Sequence, residues 1–480
     1  MSCVPPIPVE LWNQIPPAAQ AAVLALVRQY EQRLQALQQQ VDQLSQRLNQ
    51  NSTNSSRSPS SDPPHVKRRP PKPSSGRKRG GQPGHARQQR PLVPAEQVKQ
   101  TIPLKPSECR RCGQALHGED PQPRRHQVAE IPPVQAEVTE YRLHRLTCTA
   151  CGTRTCASLP AGVPAGAFGP RLQAFLAVLA GAYRLGKRPI RQLAHDLFGL
   201  SISTGMVVKL ERSTADALQQ PMAQLEEHIR TQPANVDETS WREAKQRAWL
   251  WVVVTPLVTI FRIAARRCGK VALGLLGSGY RQVVTSDRWK AYEPFRRRQL
   301  CWSQLRRDFQ AMIDRQNSGT PIGKLLLDLA DRMFAWWHRV RDGTLSRSSF
   351  QVYISGLRAK VREALTQGAA CSCPQTAATC RDLTVNESKL WAFVWHEGVE
   401  PTNNAAERAL RHPVLWRKGS GGTDSNQGSR FVERVLSIRE TCRQQGRGLL
   451  EYLIACCQAR LEGKEAPTLL PEVSSGLGVA

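Results

Sequence analysis

The sequence predicts a multidomain α/β protein, and three observations carry that expectation. The chain has 480 residues, more than one ordinary core accommodates. Its hydrophobic period changes along its length, from a heptad seam near the start, through helical spacing, to alternating β-rich runs after Asn235 and back to helix. A Ser-, Pro-, Lys- and Arg-rich stretch over 51–90 separates the first segment from the rest. The expected order is a coiled coil (18–50), a disordered basic linker (51–90), a zinc-binding domain (91–160) and a helical, helix-turn-helix-like region (165–230). An α/β catalytic domain (231–460) with a helical insertion at about 308–400, and a tail (461–480), complete it.

The first segment rests on Val27, Tyr30, Leu34, Leu37, Val41, Leu44 and Leu48, which alternate in steps of three and four residues. That is a 3.5-residue seam, the period of a parallel two-helix coiled coil and hence of a homo-oligomer. The same face also suits a helix docked on its own chain. In the linker, Arg57 to Arg90 holds ten basic residues against one acid, Asp62, so no packed core forms there. It reads as a tether and as a nonspecific grip on phosphates.

Charge names the partner class. Lys plus Arg is 67 and Asp plus Glu is 39, a formal net charge of +28, which points to a polyanion and above all to double-stranded DNA. Membrane spanning is not expected, because apolar runs such as Leu172 to Tyr183 fall short of the ~18 residues a span requires. With no signal-peptide pattern, the expected location is the cytoplasm. The 14 cysteines are too sparse for a disulfide scaffold and read as metal ligands or buried thiols.

Two Cys-x-x-Cys-Gly knuckles, Cys109/Cys112 and Cys148/Cys151, supply four thiolates with the spacing of a tetrahedral structural Zn²⁺ site. Between them, Gln135 to Leu146 alternates like a hairpin strand. His126 and His144 read as surface residues. Further on, Pro189 to Phe198, a turn at Gly199-Leu200-Ser201, and Ile202 to Ser213 follow helix-turn-helix grammar, with Ser201 or Ser203 as cap. DNA reading and plain helix packing both fit that pattern.

β-rich runs follow at Asn235–Asp237, Ala248–Thr255 and Val258–Ala265, then a helix at Val271–Leu276 and strands at Gln282–Ser286 and Gln299–Trp302. A long helical stretch, with Leu325, Leu329, Phe334, Trp336 and Trp337 on apolar faces, runs to a helix from Asn404. Cys371, Cys373 and Cys380 fit no standard knuckle and read as plain thiols. Three strands, a helix, a strand and a late helix are the ribonuclease H-like order. Asp237, Asp287 and Glu407 then stand at the first strand, after the fourth, and on the late helix.

Three carboxylates so placed suit two-metal phosphoryl transfer, with Mg²⁺ (or Mn²⁺) on hard oxygen ligands. Each acid also has a structural reading. Asp237 fits a strand-end turn, Asp287 a cap for the helix at Trp289, and Glu407 a capping box with Asn404 as N-cap. Glu238 faces the opposite side of the sheet from Asp237. Arg306, Arg307, Arg408, Arg411, Arg417 and Lys418 flank the acids as candidate phosphate contacts. Gly419 to Gly422 reads as a flexible loop beside them.

Six motifs in order then resemble one family: Gly80-Gly81-Gln82-Pro83-Gly84-His85, the paired knuckles, Val236-Asp237-Glu238-Thr239, Ser286-Asp287-Arg288-Trp289-Lys290-Ala291-Tyr292, the segment Cys301 to Arg307, and Thr402-Asn403-Asn404-Ala405-Ala406-Glu407-Arg408. Together they resemble the transposase of the insertion-sequence-66 family over nearly the whole chain. The resemblance implies a DDE-type transposase of a bacterial mobile element, with Asp237, Asp287 and Glu407 as catalytic triad and accessory proteins from the same element. Gln304 departs from the family, where many relatives carry His. A zinc-dependent DNA-binding protein, or a nuclease that cuts without strand transfer, remains as an alternative.

Overall fold

The structure, a computed structural model, describes residues 8–55, 62 and 91–470. Most of the basic linker therefore lies outside the described residues. No helix among the described residues is long and apolar enough to cross a membrane.

A short helix α1 (Val9–Trp12) leads into α2 (Pro17–Leu48), which begins with Pro17 at a position that needs no N–H donor. Most of the seam of α2 is exposed among the described residues: Leu34 is 65% exposed and Leu48 74%. Leu37→Lys with Leu44→Lys should therefore lower the mass seen by light scattering if the seam is a subunit contact. An unchanged mass would remove that role.

In the next region β1 (Arg145–Thr147) and β2 (Arg154–Cys156) pair as an antiparallel hairpin across the second knuckle, and a single antiparallel bridge joins Glu108 to Ala115 across the first. The longer strand expected over Gln135 to Leu146 does not form. Its alternating residues have no partner ladder and no core to face, with Val138 86% exposed.

Helices α3 (Pro170–Gly181), α4 (Lys187–Phe198), α5 (Thr204–Ala217) and α6 (Gln219–Ile229) come next. Gly199 ends α4 in a left-handed conformation, and the Ser203 hydroxyl accepts the Met206 N–H at 3.1 Å to cap α5. These helices do not form a separate unit. Leu176, Ile190 and Leu218 share one core with the sheet and with helices α14 (Asn426–Gln445) and α15 (Leu449–Leu461). The described part of the segment after α15, up to residue 470, packs on the same core, since Leu469 is buried and the Tyr452 hydroxyl donates to Pro467 O at 2.8 Å.

The sheet contains β3 (Ala234–Glu243), β4 (Gln246–Val254), β5 (Thr259–Ala264), β6 (Val284–Ser286) and β7 (Arg298–Leu300), in spatial order β5-β4-β3-β6-β7. The first three strands are antiparallel, and β6 and β7 add in parallel, with α7 (Gly269–Leu276) in the crossover. The first and fourth strands of the sheet are thus neighbours. β3 runs past Asp237 to Glu243, where Ala244 and Lys245 form a two-residue turn with both φ values positive, at 49° and 66°. Thr423 holds that turn from outside: Thr423 N–H donates to Arg242 O and Ala244 N–H to Thr423 O. Gly422 must be glycine for this contact, because a Cβ would stand 2.3 Å from Arg242 O. The glycine stretch expected as a flexible loop is therefore largely fixed. Gly419 is still helical, and the chain after Gly421 is tied to the hairpin.

Both borders of the sheet are closed by side chains. On α14, Ser437 Oγ and Thr441 Oγ1 accept the N–H groups of Phe261 and Thr259 at 2.8 and 3.1 Å, and Glu433 accepts that of Ile263. Four helical residues advance about 6.0 Å and two strand residues about 6.6 Å, so this i, i+4, i+8 row matches alternate strand amides. At the other border, Gln299 on β7 donates to Leu390 O at 3.0 Å and accepts the Phe393 N–H at 2.9 Å.

Those last partners belong to a helical insertion with its own core. It comprises α8 (Trp302–Asp314), α9 (Thr320–Arg341), α10 (Arg347–Ala369), α11 (Pro374–Val385) and α12 (Ala392–Trp395). Trp302, Trp337, Phe350, Trp391 and Phe393 fill it. The insertion starts at Trp302, earlier than the sequence suggests, and Leu325 lies on its outer face at 42% exposure. Cys373 and Cys380 are buried free thiols in it. Helix α13 (Asn404–Ser420) then returns the chain to the sheet.

Candidate active site

Asp237, Asp287 and Glu407 reach the same region from three elements. Asp237 lies in the middle of the central strand, with Asn235 and Thr239 on its face. Helix α13 covers that face. Asn403 Nδ2 donates to Val236 O at 2.9 Å, Asn235 Nδ2 to Thr402 O at 3.0 Å, and Arg417 Nη1 to Thr239 Oγ1 at 3.1 Å. Asp287 follows β6, the neighbouring strand. Its Oδ1 accepts the Trp289 N–H at 2.9 Å in a local turn, but it does not cap the short helix that follows, whose N-cap is Trp289, and its carbonyl accepts from Arg298 at 2.8 Å. Glu407 lies in the first turn of α13. The expected capping box is not formed, because the N-cap is Asn403 and makes no side-chain cap bond. The Glu407 carboxylate instead accepts from Gln304 Nε2 at 3.0 Å.

Electrostatics tie the three together. Burial pushes the Asp237 carboxyl well above the usual carboxylate range, and the charges of Glu238, Asp287 and Glu407 push it further, against a bond from the Glu238 N–H. Asp237 is half-buried, and its ionised form beside three other acids is one that a bound cation would stabilise. Carboxylate oxygens are the donors that Mg²⁺ or Mn²⁺ takes. Among the described residues no three His, Cys, Asp or Glu side chains stand close enough to hold one ion, so the triad is gathered but not closed.

Glu238 does face away from Asp237, but it is not idle. It is buried, ion-paired with Arg267 at 2.6 Å, and accepts the Tyr292 hydroxyl. Arg267 in turn lies 4.0 Å over the Trp289 ring and 4.9 Å over Trp249. This clamp underlies the loop carrying Asp287. Sequence reading missed it, although Trp289 and Tyr292 stand in the motif that begins at Ser286.

The six basic residues divide by their partners. Arg306 pairs with Asp331 at 2.5 Å, Arg307 meets Gln304 at 3.2 Å, and Arg417 is spent on Thr239 and Ser240. Arg408, Arg411 and Lys418 are exposed on α13 and have no acidic partner among the described residues. Two other acids near the end of the chain are committed elsewhere. Glu400 accepts from Trp337 Nε1 at 3.2 Å. Glu433, raised to about 7 by burial, pairs with Arg430 at 2.8 Å.

The two knuckles share one backbone pattern. Gly113 N–H donates to Cys109 O and Gly152 N–H to Cys148 O, both at 2.9 Å, with φ of 73° and 72° at the glycines. The Cys109 thiol is held below its ordinary pKa, first by the Arg111 backbone N–H and then by Cys112. Cys151 is lowered first by the Thr153 hydroxyl. The four-cysteine donor set fits Zn²⁺. The two pairs are not brought around one point in this structure.

Comparison with known families matches residues 165–430 to the model described as "Transposase IS66 family". Residues 106–152 match "zinc-finger binding domain of transposase IS66". Residues 10–91 match a family of unknown function. Comparison with curated protein sequences yields no match.

Proposed function

The chain belongs to the IS66 family of transposases, and from that premise we propose that it cuts the ends of a bacterial insertion sequence and joins the freed 3′-OH to target DNA by two-metal phosphoryl transfer at Asp237, Asp287 and Glu407. The observation that carries this reading is geometric: Asp237 lies on the central strand, Asp287 follows the neighbouring strand β6, and Asn403, at the start of the helix that carries Glu407, donates to Val236 O at 2.9 Å. The strand order, with the first strand central and the fourth beside it, supports a ribonuclease H-like catalytic domain.

Within that reading each residue has a task. Asp237, Asp287 and Glu407 would hold Mg²⁺ (or Mn²⁺), which when bound lowers the pKa of a water and neutralises charge at the phosphate. Arg408, Arg411 and Lys418, exposed on α13, meet the DNA backbone and fix its register. The exposed bases Arg188 and Arg191 on α4 and Lys209 and Arg212 on α5 support a DNA contact there. The zinc-finger match supports a structural Zn²⁺ at the four knuckle cysteines. The free seam of α2 suits assembly of two copies on DNA, and accessory proteins of the element are expected partners.

The decisive experiment incubates purified protein with a transposon-end duplex and Mg²⁺ and resolves nicked and joined products. Cleavage without joining would leave a nuclease; binding without cleavage would leave a zinc-dependent DNA-binding protein. A companion measurement concerns the linker. Deleting residues 57–90 should flatten the dependence of log K on log salt, because fewer phosphates are neutralised. An unchanged slope would reduce the linker to a tether.

A further inference from the structure

Gln304 stands between Glu407 and Arg307. Its Nε2 donates to Glu407 Oε1 at 3.0 Å, and its Oε1 accepts from Arg307 Nη1 at 3.2 Å. The partners dictate which end of the amide is which. A carboxylate only accepts and a guanidinium only donates, so one orientation satisfies both.

The backbone beneath Gln304 is anchored to the same stretch that delivers Glu407. Trp302 N–H donates to Pro401 O at 3.0 Å. Asn403 N–H donates to Cys301 Sγ at 3.2 Å, and Trp302 Nε1 donates to Leu390 O at 2.8 Å. Trp302 and Leu305 are buried in the insertion core, which fixes the start of α8 independently of the acids. The first turn of α8 is therefore locked to the first turn of α13, and Gln304 is the side chain that spans the two.

We propose that Gln304 is a positioning residue. It occupies one oxygen of Glu407, leaves the other for a divalent cation, and links Arg307 to the same carboxylate through its own carbonyl. The proposal rests on the reading of Glu407 as a metal ligand. A neutral amide suits the task because it supplies a donor and an acceptor without adding charge next to the cation. Partners that orient a metal ligand in this way typically change affinity by about 10- to 100-fold when removed.

The test is calorimetric titration of Mn²⁺ into the full-length protein with its zinc sites filled, for Gln304→Leu, Gln304→His and Glu407→Gln. The expected result is that Gln304→Leu weakens Mn²⁺ binding by about 10- to 100-fold, with the metal-free melting temperature and the DNA affinity unchanged. Gln304→His, which keeps a donor for Glu407, should recover most of the loss. If Gln304→Leu fails to fold, Gln304→Met keeps the length of the side chain and removes both hydrogen bonds. Wild-type Mn²⁺ affinity in the Leu or Met variant, alongside weakened binding in Glu407→Gln, overturns the positioning role alone. Wild-type affinity in Glu407→Gln removes Glu407 as a ligand and the proposal with it.

Discussion

Asp237→Asn, Asp287→Asn and Glu407→Gln are each expected to abolish Mg²⁺-dependent nicking of a transposon-end duplex, a loss of about three orders of magnitude or more. On the proposed reading the three acids share the ions, so losing one would misplace both. Double variants should accordingly be no worse than single ones. DNA binding should survive or tighten, because each substitution removes negative charge where phosphates approach. Glu238→Gln is the control. Glu238 lies on the other face of β3, so nicking should persist, but its pairing with Arg267 and Tyr292 is weakened. The cost should appear as a lower melting temperature, about 1 to 3 kcal/mol for a buried partner left unsatisfied. Denaturing gels and thermal melts read the two effects separately. A Glu407→Gln variant that cuts like wild type would leave Glu407 as no more than a helix residue bonded to Gln304.

The second large effect concerns zinc. Between 91 and 160 the chain has two strands of three residues and almost no burial; Leu104 is 90% exposed and Ile131 83%. Apolar burial cannot stabilise such a segment, so on the proposed reading zinc ligation is expected to supply most of its folding energy. Elemental analysis should find about one zinc per chain, and Cys109→Ser with Cys148→Ser should lose it. The same variant should become sensitive to proteolysis within 91–160. Full zinc content in the double variant would refute the shared site.

What was legible in the sequence follows from how local each signal is. The strands were visible where β-branched residues cluster, as in β4 and β5. The second half of β3 was not, because Thr239 to Glu243 mix polar and apolar residues. The turn after it uses Ala244 and Lys245 where a Gly or Asn would announce itself. Thr423, far along the chain, makes that turn possible, and no local pattern encodes it. The reverse error occurred at Gln135 to Leu146, where alternation without a partner strand was read as a strand. The three acids stood out because each has a distinctive neighbourhood. The Gln304–Glu407 bond and the Glu238–Arg267 clamp did not, since side-chain pairings across the fold leave no periodic trace. The packing of Leu469 escaped notice for the same reason.

The closure of both sheet borders has a consequence for how copies of the chain meet. A bare border strand is a template on which another chain can add its own strand, the usual route to unwanted aggregation. Here α14 occupies the amides of β5, and the segment from Leu390 to Phe393 covers β7. Several copies crowded onto one DNA end can therefore lie against each other without fusing sheet to sheet. If copies do associate, the exposed apolar seam of α2 is the surface proposed for it, and the light-scattering comparison of the Leu37→Lys, Leu44→Lys variant decides that role.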